Sequence, residues 1–227
     1  MYKRQGTITE IGDGWYRVSA PAVTAGATGM RVIAYSVNGT ATSFVGDVTK
    51  GFYMWGMQVE ASPIATSYMP TTISPFTRDA DDASMTNVSG LIGQKEGTLY
   101  VEADTRNASG ISQDILYISN NNYTNRIYIN LGTAGEVRAE GNNILITGGG
   151  STGIAKIALG YADNNSNLFV NGSQVGTTDT TCTILSGKTD IDIGQSWAAS
   201  NQANMWIRAV QIIPRRLSNE QLIELTS

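Results

Sequence analysis

The chain has 227 residues, of which 15% are charged, with a formal net charge of −4 and no histidine. The missing histidine excludes Ser-His-Asp catalysis and His-bound metal chemistry. The near-neutral surface, with no basic cluster beyond Arg215-Arg216, gives little drive toward nucleic acid. No apolar run reaches the about 20 residues of a membrane helix and no signal-peptide pattern opens the chain, so membrane insertion is not expected. Cys182 is the sole cysteine, which rules out an intrachain disulfide and reads as a buried strand thiol. The length allows two cores, and a change of texture near residue 80 favours that division.

Met1-Tyr2-Lys3-Arg4-Gln5 (residues 1–5) matches the translated end of a transposon adapter used in sequencing libraries, and is read as an artefact outside any domain. Gly12-Asp13-Gly14 signals a turn, followed by an aromatic and β-branched strand over 15–20. Residues 30–35 read as a second strand ending at an Asn38-Gly39 tight turn. In the run 52–59, alternation puts Tyr53, Trp55, Met57 and Val59 on one face, expected to be the core. Trp15, Tyr35, Tyr53 and Trp55 are read as core aromatics in preference to a sugar-stacking platform. Pro70 and Pro75 then break strand pairing, so that residues 62–77 form a strap with Tyr68 buried against Trp15 or Trp55.

Trp55-Gly56-Met57-Gln58-Val59-Glu60, followed by Thr66-Ser67-Tyr68-Met69-Pro70-Thr71-Thr72, resembles the closing segment of jelly-roll modules in bacteriophage tail fibres and tailspikes. The resemblance implies that residues 6–78 are the carboxy-terminal portion of such a module, the chain beginning inside a domain, with 79–94 as a linker.

Beyond residue 95 short strands recur without intervening helical periods, at 98–103, 115–119, 126–131, 136–140, 143–147, 155–161 and 167–170. This pattern predicts an antiparallel sandwich. Pro214 stops a closing strand, and Ser218-Asn219-Glu220-Gln221 predicts a capping box opening a short helix over 219–225, with Leu217 and Leu222 as its hydrophobic staple. The segments 156–161, 167–175 and 191–194 with 205–218 resemble the laminin-G and concanavalin A-like lectin/glucanase sandwich found in phage tail proteins. The expected fold class is therefore all-β: a partial jelly-roll sandwich followed by a concanavalin A-like antiparallel sandwich over 95–227, with a short carboxy-terminal helix.

Glycanases of the lectin-like class carry a Glu-x-Asp-x-x-Glu strand motif, and this chain has none; it is read as a non-enzyme with no catalytic residue. Asp79-Ala80-Asp81-Asp82 reads as surface or turn acids, and Asp190 and Asp192 share one strand face. No cofactor is expected; the Asp190 and Asp192 pair and the oxygen-rich 163–167 turn are the places where calcium could bind, but the calcium-loop spacing is absent. Lectin-like folds bind glycans through loops, and two loops have the ingredients. One holds Asn121, Asn122, Tyr123 and Asn125, the other Asp163, Asn164 and Asn165. Gly148-Gly149-Gly150-Ser151-Thr152-Gly153 reads as a flexible turn, lacking the lysine and the strand-to-helix context of a phosphate-binding loop.

The resemblance implies a non-catalytic carbohydrate-recognition or adhesion module of a phage or prophage tail fibre, located on the virion and partnered with a bacterial surface polysaccharide. The alternative is a purely structural fibre module. Without a coiled-coil heptad or a β-helix repeat, a monomer is expected for this chain and a homotrimer for a full-length fibre.

Overall fold

The computed structural model describes residues 6–21, 32–34, 36–60, 65–71, 74–77, 79–105, 111–150 and 153–227. The five adapter-like residues and half of the expected strand over 30–35, namely Met30, Arg31 and Tyr35, lie outside them, and the described Val32, Ile33 and Ala34 form no strand. The chain divides into two units, Met1–Thr77 and Arg78–Ser227.

In the first unit β1 (Thr7–Gly12) pairs antiparallel with β2 (Trp15–Ser19). Asp13 and Gly14 supply the two positive φ angles, 52° and 75°, of the turn between them. Asn38 and Ala41 close the expected tight turn with reciprocal N–H···O bonds of 3.0 and 3.1 Å. Residues 52–59 form no ladder, and the face expected to be core is open: Tyr53 is 91% and Trp55 74% exposed. Among the described residues of the first unit the one sheet is β1–β2, so within this unit alternation over 52–59 has no second sheet to bury against.

The strap is held to residues 56–60 by side chains instead of a ladder. Gln58 Oε1 accepts from the Met69 amide (2.8 Å), and the Glu60 carboxylate accepts from the Thr66 amide (2.7 Å) and hydroxyl (2.6 Å). Arg17 reaches the Thr66 carbonyl from β2. Gly56, at φ 68°, leaves room for the Tyr68 ring, which lies 4.7 Å from that of Trp55. The Trp-Gly-x-Gln-Val-Glu run is thus a clamp for the strap. Tyr68 is 39% exposed, so its expected burial is corrected: it leans on one ring at the surface.

The second unit opens with β3 (Ala83–Met85) and a 3-10 turn, Ser89–Leu91. It continues through β4 (Glu96–Asp104), β5 (Gln113–Ser119), β6 (Arg126–Leu131), β7 (Glu136–Gly141) and β8 (Ile144–Gly150). Then come β9 (Ile154–Ala162), β10 (Ser166–Val170), β11 (Ser173–Asp179), β12 (Asp190–Ile193), β13 (Trp206–Ile213) and α1 (Asn219–Thr226). One sheet has the order β11-β10-β9-β4-β13 and the other β3-β12-β5-β6-β7-β8; every pair is antiparallel. The stretch expected as a linker, 79–94, contains β3, an edge strand on β12 too short to show alternation.

The inward-facing Leu99, Val101, Ile157 and Leu159 of the first sheet and Ile118, Ile127, Ile129 and Val137 of the second form one core, all fully buried. Each such side chain contributes about 1.5–3 kcal/mol. Cys182 is buried there, as expected.

The outer face of the five-stranded sheet is covered by α1. Leu217 and Leu222 pack on Tyr100, Ala158 and Phe169. The capping box forms as its sequence implies, with Ser218 Oγ accepting from the Gln221 amide and Gln221 Oε1 accepting from the Ser218 amide. Thr98 Oγ1 fixes the approach, donating to the Arg215 carbonyl and accepting from the Leu217 amide, both at 3.0 Å. Among the described residues no helix packs on the outer face of the six-stranded sheet, which carries Asp114, Asn130, Arg138 and Glu140 together with the exposed Leu145.

Candidate functional site

Alternation on β6 turns Ile127, Ile129 and Leu131 inward and Arg126, Tyr128 and Asn130 outward; on β7 it turns Val137 inward and Arg138 and Glu140 outward. A register shift between Asp114 and Leu116 resets β5, so Ile115 and Leu116 are both core while Asp114 and Tyr117 share the outer face. The ladders align these groups in two rows, Asp114–Asn130–Arg138 and Tyr117–Tyr128–Glu140. The connection from β12 to β13 supplies a wall, with Ser196, Trp197 and Asn201 facing the rows. Ser196 N–H donates to the Ser200 carbonyl (3.0 Å), and the Asn201 carbonyl accepts from the Asp114 amide (2.9 Å), which ties the wall to β5. The result is a cleft of about 310 Å³.

Arg126 dominates its upper end. The guanidinium lies 3.6 Å from the Tyr123 ring centroid and 5.1 Å from that of Tyr128, and donates to Tyr117 Oη (3.2 Å). The Tyr117 and Tyr128 rings stack at 4.9 Å beneath it. Among the described residues Arg126 makes no ion pair, whereas Arg138 pairs with Glu136 and lies 3.6 Å from Glu140. Tyr128 Oη donates to Glu140 (2.7 Å), and burial, then that carboxylate, pushes its pKa well above the ordinary tyrosine value. Asp114, 2% exposed, accepts from Asn201 Nδ2 (3.2 Å). Burial raises its pKa to about 6, against the lowering effect of Asn201 and Arg126.

Of the seven side chains expected to bind ligand, Tyr123 lines the cleft, 67% exposed on its rim. Asn121 takes a positive φ of 60°, and Asn122 Oδ1 accepts from the Thr124 amide (2.8 Å) in the same loop. Asn125 is buried and donates to the Ser186 carbonyl (2.7 Å). Asp163, Asn164 and Asn165 form the β9–β10 turn, outside the cleft lining. Asp163 accepts from the Ile184 amide (2.5 Å), and the Asn164 amide donates to the Cys182 carbonyl (2.9 Å). These amides and this carboxylate hold the 182–186 segment in place. Lys95 donates to the Ile184 carbonyl (2.9 Å) and the buried Lys188 to that of Leu185.

Sequence reading missed Asp114, Tyr117, Arg126, Tyr128, Asn130, Arg138 and Glu140. The available signal was the polar half of the alternation on consecutive strands. Asp190 and Asp192 do share a face, as expected. Burial, with Asp190 and Asp82 as further causes, raises the Asp192 pKa to about 6. Among the described residues no group of three acidic or thiol side chains is placed to hold a metal ion.

No protein-family model matches the chain, and no curated protein sequence matches it. Solved structures do match. The Ruminococcus gnavus IT-sialidase CBM40 bound to α2,3-sialyllactose aligns at TM-score 0.52 and 18% identity, covering 65% of this chain and 93% of that one. The same module bound to α2,6-sialyllactose aligns at 0.51 and 16%, with coverages of 65% and 93%. A leech intramolecular trans-sialidase complexed with 2,7-anhydro-Neu5Ac aligns at 0.51 and 17%, covering 65% of this chain and only 26% of that one. At these identities the likeness defines the fold, that of a lectin-like β-sandwich shared with carbohydrate-binding modules.

Proposed function

We propose that the second unit is a non-catalytic carbohydrate-recognition module that takes an acidic terminal sugar of the sialic acid type in the cleft of the six-stranded sheet. The observation that carries this reading is Arg126: a guanidinium that makes no ion pair among the described residues, oriented by Tyr117, Tyr123 and Tyr128 at the mouth of a polar cleft. A planar fork held this way suits a carboxylate, and the aromatic rim suits the apolar face of a sugar ring. The cleft volume is at the lower end of ligand sites, fitting one or two sugar rings. The sialyllactose complexes of the R. gnavus module support the same ligand class.

The setting of this module, a phage or prophage tail fibre exposed on the virion and directed at bacterial surface glycan, rests on the strap and sandwich resemblances. Calorimetric titration tests the binding reading. Saturable binding of 3′-sialyllactose but not lactose is expected, weakened about 10- to 100-fold by Arg126→Ala, the scale of a lost charge-assisted hydrogen bond. Absence of binding to any acidic glycan would overturn it.

A further inference from the structure

Three side-chain atoms in the cleft, Asp114 Oδ1, Asn130 Oδ1 and Arg138 Nε, are buried without a hydrogen-bond partner. Buried polar atoms are nearly always satisfied, so three together call for an explanation. They are not scattered. Asp114 faces Asn130 across the β5–β6 ladder and Asn130 faces Arg138 across β6–β7, which makes one continuous row on adjacent strands about 4.8 Å apart. Asp114 and Asn130 are 2% and 4% exposed, and their remaining polar atoms are engaged, by Asn201 Nδ2 on Asp114 and by Ser112 Oγ on Asn130.

The row therefore holds two unpartnered acceptors and one unpartnered donor on three residues that line the same cleft. Its complement is a pair of hydroxyls on neighbouring carbons: two O–H donors and an oxygen lone pair. We infer that Asp114, Asn130 and Arg138 form a subsite for a vicinal diol, with one hydroxyl donating to Asp114 Oδ1, its neighbour donating to Asn130 Oδ1, and a diol oxygen accepting from Arg138 Nε.

This inference rests on the carboxylate reading of Arg126 and adds to it the part of the sugar at the other end of the cleft. Asn130 lies four residues beyond Arg126 on the same face of β6, about 13 Å along the strand. The guanidinium shortens that span by leaning over Tyr128. Two separated polar ends suit an acidic sugar whose polyhydroxyl chain stands apart from its carboxylate. A hexuronic acid, with every hydroxyl on the ring, fits that separation less well.

The test uses the full chain and two forms of one ligand. Mild periodate oxidation followed by borohydride reduction cleaves the exocyclic diol of 3′-sialyllactose and leaves its carboxylate. Calorimetry is expected to show a Kd at least tenfold weaker for the shortened sugar. Asp114→Asn should abolish that preference by weakening intact ligand toward the shortened one, with thermal unfolding confirming that the variant is folded. Equal affinity of the native chain for both forms would overturn the diol subsite while leaving the carboxylate reading intact. No binding of either form would overturn both.

Discussion

Replacing Asp114 by Asn should stabilise the second unit at neutral pH, because a buried carboxylate is kept charged there with only partial compensation. Its pKa stands at about 6 in the folded chain against an ordinary 3.8, so the folded state binds the proton more tightly than the unfolded state. The stability linked to that proton is fully present below pH 3.8 and is lost as pH rises through about 6. A shift of about two units corresponds to roughly 3 kcal/mol, an upper bound once local relaxation is allowed for. Asn cannot ionise, and its amide can donate toward the unpartnered Asn130 Oδ1. The expected gain is about 1–3 kcal/mol at pH 7, or roughly 2–4 °C per kcal/mol in Tm for a unit of this size, and close to nothing at pH 3.5. Asp192, also raised to about 6, titrates in the same window, so the variant should lose only part of the native pH dependence between 4 and 6. Calorimetric melts at pH 3.5, 5, 6 and 7 measure this. A variant less stable than the native chain at pH 7, or one with an unchanged pH slope, would refute the claim that Asp114 is a buried charge held against its preference. A gain in stability joined to a loss of ligand affinity is what a binding group retained at a structural cost would show.

Two further substitutions separate the cleft from the scaffold. Gly141→Ala sets a Cβ at φ 107° against the Arg126 carbonyl; it should cost about 2–4 kcal/mol in urea unfolding and weaken glycan binding by displacing Arg126, and native stability would show that β7 tolerates the side chain. Leu222→Ala empties the contact between α1 and the five-stranded sheet, with an expected cost of about 2.5–4 kcal/mol; Kd should be unchanged where the protein remains folded, and a changed Kd would mean that the two outer faces are coupled.

The second unit was legible in the sequence because its strands carry their own evidence. Alternation over 126–131 marks β6 from end to end, and Ser218 with Gln221 announces the helix start, since capping is satisfied by residues three apart. The same alternation misled at 52–59, because period-2 patterning names a face without saying what covers it. Tyr53 and Trp55 are exposed for want of a second layer among the described residues of the first unit, a nonlocal matter. Composition marks the two Asn-rich loops, and only the fold shows that Asn125, Asp163 and Asn164 hydrogen-bond to the 182–186 segment.

The cleft depended on tertiary structure for a related reason. Asp114, Asn130 and Arg138 are separated by 16 and 8 positions in the chain, and only the register of β5 on β6 and β6 on β7 sets them side by side. The shift at Ile115 that turns Asp114 outward is a property of the paired strands. By itself the sequence determined the strands from β4 to β10, the cap, the buried thiol and the absence of histidine chemistry, all of which are local or compositional. Which polar face stays open, which arginine is gathered among tyrosines at the cleft, and which buried atoms there lack a partner were decided by the assembled sheets, because each is a statement about neighbours that the chain brings together only on folding.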